Sequence, residues 1–360
     1  MKKYTFIFAF LLATLTAAAQ TEIYWNRDTI EAPSLKNNML GDKTQQEIIV
    51  SLPSGYNDSD IRYPVVYFLW GYDREEGEVV ELKTKILEVK NNNQLKDMII
   101  VMIHGNNRLR GSFYVNSPVT GNWEDYITND VVTYIDNKYR TLAKPESRSI
   151  TGHSMGGYGA LNLSMLHPDI YCAGFGISPG LYSNKGFDNS QIVKDKDNIK
   201  NTISLIKRLN SLPEDIAQKE YLNFINTCKD YTIIFTLAYG SAFAPNTKRP
   251  PYINFPFDII NNDTITDKKT WDLWQNGFGG VEKEIEMYKG NLQKLKIYGI
   301  SCGYNDWYKW ILDGSIYYSD KLTENNISHV LLLDQGTHSS SFTSTFTNIV
   351  LPMLSNAMVH

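Results

Sequence analysis

The chain reads as an α/β protein: a mainly parallel central sheet with helices on both faces, interrupted by one long inserted segment. Residues 63–69 and 98–103 are nearly continuous apolar runs, as expected of strands covered on both faces. Such runs alternate with segments of helical spacing, which is how strand–helix–strand units announce themselves. Residues 148–178 then run strand, glycine-bounded turn, Ala/Leu-rich helix stopped by Pro168, and strand again.

In chain order, Lys2 and Lys3 precede an apolar run ending in Ala17, Ala18 and Ala19, so residues 1–19 are expected to be a cleavable secretory signal and the mature protein to be exported. The run is too short for a membrane span of about 20 residues. Residues 45–52 and 63–69 are expected strands, 78–89 a helix and 98–103 a strand. Residues 123–139 place Ile127, Val131, Tyr134 and Ile135 on one side of a helix that leads into a strand at 148–151. After a helix at 156–167 and a strand at 171–178 the alternation stops. Residues 183–201 are polar, 205–228 look helical, 232–238 fit strand or helix equally, and 245–257 are rich in Pro and aromatics. The expectation is a cap or lid over about 180–295, because so long an interruption in a compact fold usually has its own task. Strands resume at 296–302 and 329–333, and a helix from about Phe342 closes the chain.

The formal charge is -4, becoming -6 once Lys2 and Lys3 leave with the signal. That mild acidity argues against a nucleic-acid partner or an anionic membrane surface. Cys172, Cys228 and Cys302 are an odd three, so at least one is unpaired; buried free thiols and one bridge involving Cys228 are both open. No metal-binding or nucleotide-binding motif occurs, so neither a metal nor a cofactor is implied.

Gly152-His153-Ser154-Met155-Gly156 fits G-x-S-x-G between a strand and a helix. In that setting the glycines permit a tight turn that lifts the serine hydroxyl above the sheet edge, as in an α/β-hydrolase fold. A serine hydroxyl needs a base to take its proton, and the base needs an acid to hold its tautomer. Of the six histidines, His338 lies in a loop just after a strand, where the base belongs; Asp306 follows the preceding strand, with Asp313 and Asp334 as fallbacks. The negative charge of a tetrahedral intermediate calls for two backbone donors. Met155, at a helix N-terminus, supplies one, and Tyr72, freed by Gly71, supplies the other. Tyr114, Asn116 and Trp123 follow a strand and suit either contact with a sugar or aryl group, or loop packing.

Leu69-Trp70-Gly71, the stretch Ser112-Phe113-Tyr114-Val115-Asn116-Ser117-Pro118, Gly121-Asn122-Trp123-Glu124-Asp125-Tyr126, Tyr139-Arg140-Thr141, the elbow with Gly157, and Cys302-Gly303-Tyr304-Asn305-Asp306 together resemble the putative-esterase family. That family includes feruloyl and acetyl xylan esterases, S-formylglutathione hydrolases, enterochelin esterases and mycolyltransferases. The resemblance runs from about Gln45 to His338 and implies Ser154 as nucleophile, Asp306 as acid, His338 as base, and Tyr72 and Met155 as oxyanion donors. Trp70 departs from the commoner His or Asp before the loop glycine, and the middle insertion varies between branches. The resulting expectation is a secreted serine ester hydrolase acting on feruloyl or acetyl groups of a glycan or small-molecule ester. Acyl transfer by the same residues, or a glycan-binding scaffold without catalysis, are the alternatives. The oligomeric state has no signature in the sequence.

Overall fold

The apolar runs form the centre of an eight-stranded sheet. Its strands are β1 (Tyr24–Glu31), β2 (Gln45–Leu52), β3 (Val65–Leu69), β4 (Ile99–Ile103), β5 (Arg148–His153), β6 (Ala173–Ile177), β7 (Ile297–Gly303) and β8 (Val330–Asp334). They lie in the order β1-β2-β4-β3-β5-β6-β7-β8. β2 pairs antiparallel with both β1 and β4, and every other pairing is parallel. A computed structural model describes residues 24–360 apart from 74–75, 92–94, 262 and 341; the expected signal at 1–19 lies outside the described residues.

β3 shows why its run is apolar throughout. Val65, Tyr67 and Leu69 enter one core, while Val66, Phe68 and the following Trp70 enter the other. The helix Glu76–Asn91 and the C-terminal helices close the second core through Leu82, Ile86, Phe346 and Leu354. Trp123, Ile127 and Ile135, the helix Met155–Leu166 and the helix Lys309–Glu324 close the first. No helix among the described residues is long and apolar enough to cross a membrane. All three cysteines are free thiols, so the bridge involving Cys228 is not formed.

Between β6 and β7 the chain is mostly helical. Residues 205–228 are not one helix but parts of two, Lys196–Asn210 and Glu214–Thr227. Pro213 stands at the N-cap of the second, where its missing N–H costs no intrahelical bond. The helix Lys196–Asn210 begins inside the polar stretch 183–201, where the Asp195 side chain accepts from the amides of Asp197 and Asn198. The ambiguous 232–238 belongs to the helix Tyr231–Phe243, capped by Asp230.

Candidate active site

β5 runs straight into Ser154, which adopts φ 57° and ψ -116°, and the next residue opens the helix Met155–Leu166. Such a conformation strains a residue bearing a side chain, and it persists because the neighbours hold it. Crowding explains the flanking glycines. A Cβ on Gly156 would lie 2.0 Å from the Leu69 carbonyl oxygen, and one on Gly152 would lie 2.3 Å from the Gly156 carbonyl oxygen.

His338 stands in the loop after β8, 7% exposed, and its Nε2 lies 3.0 Å from Ser154 Oγ. Its Nδ1 lies 2.8 Å from Asp306 Oδ2. An ionised carboxylate only accepts, so Nδ1 carries the proton and donates, which leaves the Nε2 lone pair to accept the Ser154 hydroxyl proton. Asp306 is fully buried, and its Oδ1 accepts from the Tyr308 amide at 2.8 Å. Asp313 lies within the helix Lys309–Glu324, and Asp334 accepts from the Gly336 amide; Asp306 is therefore the carboxylate brought to His338. Burial and this carboxylate push the nearby Cys302 thiol up to about 12, so it stays neutral.

The loops bearing Asp306 and His338 are tied to each other. Tyr304 donates its amide to the Asp334 carbonyl at 2.7 Å, Asn305 its amide to Gly336 at 3.0 Å, and the Asn305 side chain donates to Gln335 at 2.7 Å. His153, inside the elbow, lies with Nε2 2.8 Å from the His338 carbonyl oxygen and stacks on Phe342 at 4.5 Å. Burial, reinforced by His338, lowers its pKa to about 3, so the ring is neutral and Nε2–H is the donor.

Tyr72 and Met155 line the same cavity as Ser154. Among the described residues neither backbone amide donates to a protein acceptor. Gly71 lies against the elbow: a Cβ there would be 3.5 Å from the Ser154 Cβ. Tyr72 is held by its hydroxyl, which donates to the Leu109 carbonyl at 2.7 Å, and by stacking on Phe113.

The cavity encloses about 760 Å³ of non-atom space, open mouth included, with Phe113, Tyr231, Phe235, Phe278, Tyr308 and Trp310 among its walls. Tyr114, Asn116 and Trp123, the candidates for substrate contact, are not part of it. Tyr114 is fully buried, with its hydroxyl donating to the Trp70 and Ile103 carbonyls. Trp123 is equally buried and donates its indole N–H to Thr120. Asn116 caps the turn after it, accepting from the Glu124 and Asp125 amides. The correction has a local cause: Phe113 and Tyr114 both take positive φ, 57° and 56°, so Phe113 reaches the cavity while Tyr114 is directed beneath it. Of the other wall residues, Tyr231 and Phe235 lie one turn apart on the helix Tyr231–Phe243, a spacing hidden because that helix is apolar on nearly every side, and the rest come from distant parts of the chain.

A serine elbow at the end of a central parallel strand, with the histidine and aspartate after the last two strands of the sheet, defines an α/β-hydrolase. Residues 40–247 match the family model described as "Putative esterase", and the chain belongs to that family. Esterase MT1326 of Mycobacterium tuberculosis (strain CDC 1551 / Oshkosh) is 32% identical over 118 residues, covering 31% of this chain and 24% of that protein. The match thus spans about a quarter of the curated relative's length. A ferulic acid esterase superposes with a TM-score of 0.61 at 19% identity, covering 94% of this chain and 100% of that one. An S-formylglutathione hydrolase from Agrobacterium tumefaciens gives 0.55 at 14% identity, over 93% and 95% of the two chains. A CE1 ferulic acid esterase from Anaeromyces mucronatus, solved with ferulic acid, gives 0.52 at 15% identity, over 96% and 94%. At these identities the structural likeness establishes the fold.

Proposed function

We propose that the protein is a secreted serine carboxylic-ester hydrolase that removes acyl groups, of feruloyl or acetyl type, from glycan esters. One arrangement carries the reading: Ser154, His338 and Asp306 in hydrogen-bonding order, with Ser154 and His338 on the wall of a cavity that Tyr72 and Met155 also line and Asp306 buried behind His338. In this mechanism His338 Nε2 takes the Ser154 proton as Oγ attacks the ester carbonyl carbon. The amides of Tyr72 and Met155 hold the oxyanion. The tetrahedral intermediate then expels the alcohol, which leaves with the proton from His338. Water, deprotonated in turn by His338, releases the carboxylic acid and restores Ser154.

The aromatic walls favour a flat aryl acyl group over acetyl, since stacked rings bury apolar area with defined geometry. Residues 180–295 act as the cap in this reading, contributing Gln191, Tyr231, Phe235 and Phe278 to those walls. Export rests on residues 1–19 alone.

Ser154→Ala abolishes turnover of p-nitrophenyl acetate and methyl ferulate and removes labelling by a fluorophosphonate probe, with the thermal unfolding midpoint unchanged. Retained turnover in that variant, or a wild-type protein that neither labels nor hydrolyses, overturns the proposal. A second reading is acyl transfer from the same acyl-enzyme. Trp307 is 65% exposed at the cavity rim, its ring 6.4 Å from that of His338, a face that suits an acceptor sugar as well as a departing one. Product analysis with added sugar acceptor separates the two.

A further inference from the structure

The cavity holds one polar side chain that the reaction does not use and whose orientation is fixed. Gln191 opens the four-residue helix Gln191–Lys194 in the segment between β6 and β7, and it lines the cavity together with Ser154. Trp310 Nε1 lies 3.2 Å from Gln191 Oε1. An indole N–H can only donate, so the amide oxygen must face Trp310 and the amide nitrogen must face away. Among the described residues that NH₂ group has no protein acceptor. Its surroundings are rigid: Ile192 is fully buried beside it, and Phe187, just before it, donates its amide to Gln275 Oε1 at 3.0 Å.

The rest of that wall is aromatic. Phe278 stacks on Trp310 at 6.0 Å, Phe113 meets Phe278 at 5.6 Å edge to face, and Phe235 meets Phe113 at 5.7 Å. Of the other polar linings, Ser154, His153 and His338 belong to the reacting edge, Ser339 adjoins His338, the Tyr72 hydroxyl donates to Leu109, Trp307 stands at the exposed rim, and Tyr231 and Tyr308 are hydrogen-bonded to each other. Gln191 thus presents a donor whose direction Trp310 fixes, in a wall made largely of aromatic rings. An amide in that position lowers the free energy of an acyl group that brings an acceptor to it. It penalises one that covers the NH₂ group with carbon, because a buried donor is then left unpaired.

We infer that Gln191 is a specificity-determining residue, selecting aryl acyl groups that carry a hydrogen-bond acceptor, such as an ether or phenol oxygen, on the ring. The inference rests on the ester-hydrolase reading of the same cavity, and it assigns to the segment between β6 and β7 a chemical role distinct from enclosure.

The test compares methyl 4-methoxycinnamate, methyl 4-hydroxycinnamate and methyl cinnamate on the wild type, Gln191→Leu and Gln191→Glu. The wild type prefers both oxygenated esters to methyl cinnamate in kcat/KM by about tenfold, the worth of one such bond. Gln191→Leu loses that preference mainly through the oxygenated esters. Gln191→Glu keeps the Trp310 acceptor but offers an acceptor to the ligand, so it favours the hydroxy over the methoxy ester by about tenfold, a discrimination the wild type lacks. This variant also serves if Gln191→Leu, which orphans the Trp310 N–H, fails to fold. Identical preference ratios in wild type and Gln191→Glu overturn the inference. Hydrolysis of p-nitrophenyl acetate without hydrolysis of any aryl acyl ester overturns it while leaving the ester hydrolase standing. Absence of all turnover and of fluorophosphonate labelling overturns both.

Discussion

His153 donates its Nε2–H to the backbone carbonyl of His338 at 2.8 Å, so the residue preceding the elbow serine fastens the loop that carries His338, the base of the proposed mechanism. Breaking this bond loosens the base without removing it. His153→Phe keeps a ring against Phe342 but lacks the donor, and kcat/KM for p-nitrophenyl acetate is expected to fall about tenfold with the fold intact. Full wild-type activity in this variant would leave the bond with no part in positioning His338.

The same ring sets a pH dependence. Burial lowers the His153 pKa from 6.5 to about 3 in the folded protein. Between those values the unfolded chain binds the extra proton, so stability is fully present above 6.5 and is lost as pH falls toward 3. Urea midpoints measured from neutral to acid pH should therefore drop more steeply in the wild type than in His153→Phe.

Glu284 titrates in the opposite sense. Burial raises its pKa from 4.5 to about 7, and the hydroxyls of Tyr158, Tyr298 and Tyr318 feel its charge. Here the folded protein holds the proton, so this contribution is complete below 4.5 and lost as pH rises through about 7. Glu284→Gln is expected to raise the unfolding midpoint above neutral pH and to leave it nearly unchanged in acid, as followed by calorimetry across that range.

Asp306→Asn tests the tautomer. The amide can present its N–H₂ to His338 Nδ1, forcing the ring proton onto Nε2, where it cannot take the serine proton. The expected loss in kcat is roughly 10³ to 10⁴-fold with little change in KM. A loss smaller than tenfold would mean that Asp306 does not govern the His338 tautomer.

Gly156→Ala tests the crowding at the elbow. Its methyl would fall 2.0 Å from a backbone oxygen of Leu69, which cannot rotate away. The expected cost is about 3 kcal/mol or more, read as a lowered denaturant midpoint, or as insoluble protein on expression.

The sheet and the elbow were legible in the sequence for a physical reason. β3 is covered on both faces, so all its residues are apolar, and Gly152 and Gly156 sit where no side chain fits. His338 and Asp306 were legible because the residues that end β8 and β7 dictate where their loops begin. The cavity wall was not. Phe113, Gln191, Tyr231, Phe278 and Trp310 come from five places in the chain, and facing a cavity imposes no period. The helix Tyr231–Phe243 is buried on nearly every side, which erased the one-sided pattern that would have separated it from a strand. Substrate contact and loop packing could not be told apart for Tyr114, because the paired positive φ values at 113 and 114 occur without a glycine to signal them.

The bonds joining Tyr304 and Asn305 to Asp334, Gln335 and Gly336 make the acid and the base parts of one stiff body. The spacing of Asp306 and His338 is therefore braced by the backbone of both loops as well as by their own hydrogen bond. The boundary between these loops and the elbow is crossed by two side-chain contacts, His153 Nε2 to the His338 carbonyl and Ser154 Oγ to His338 Nε2, so a change at either residue is felt on both sides of it.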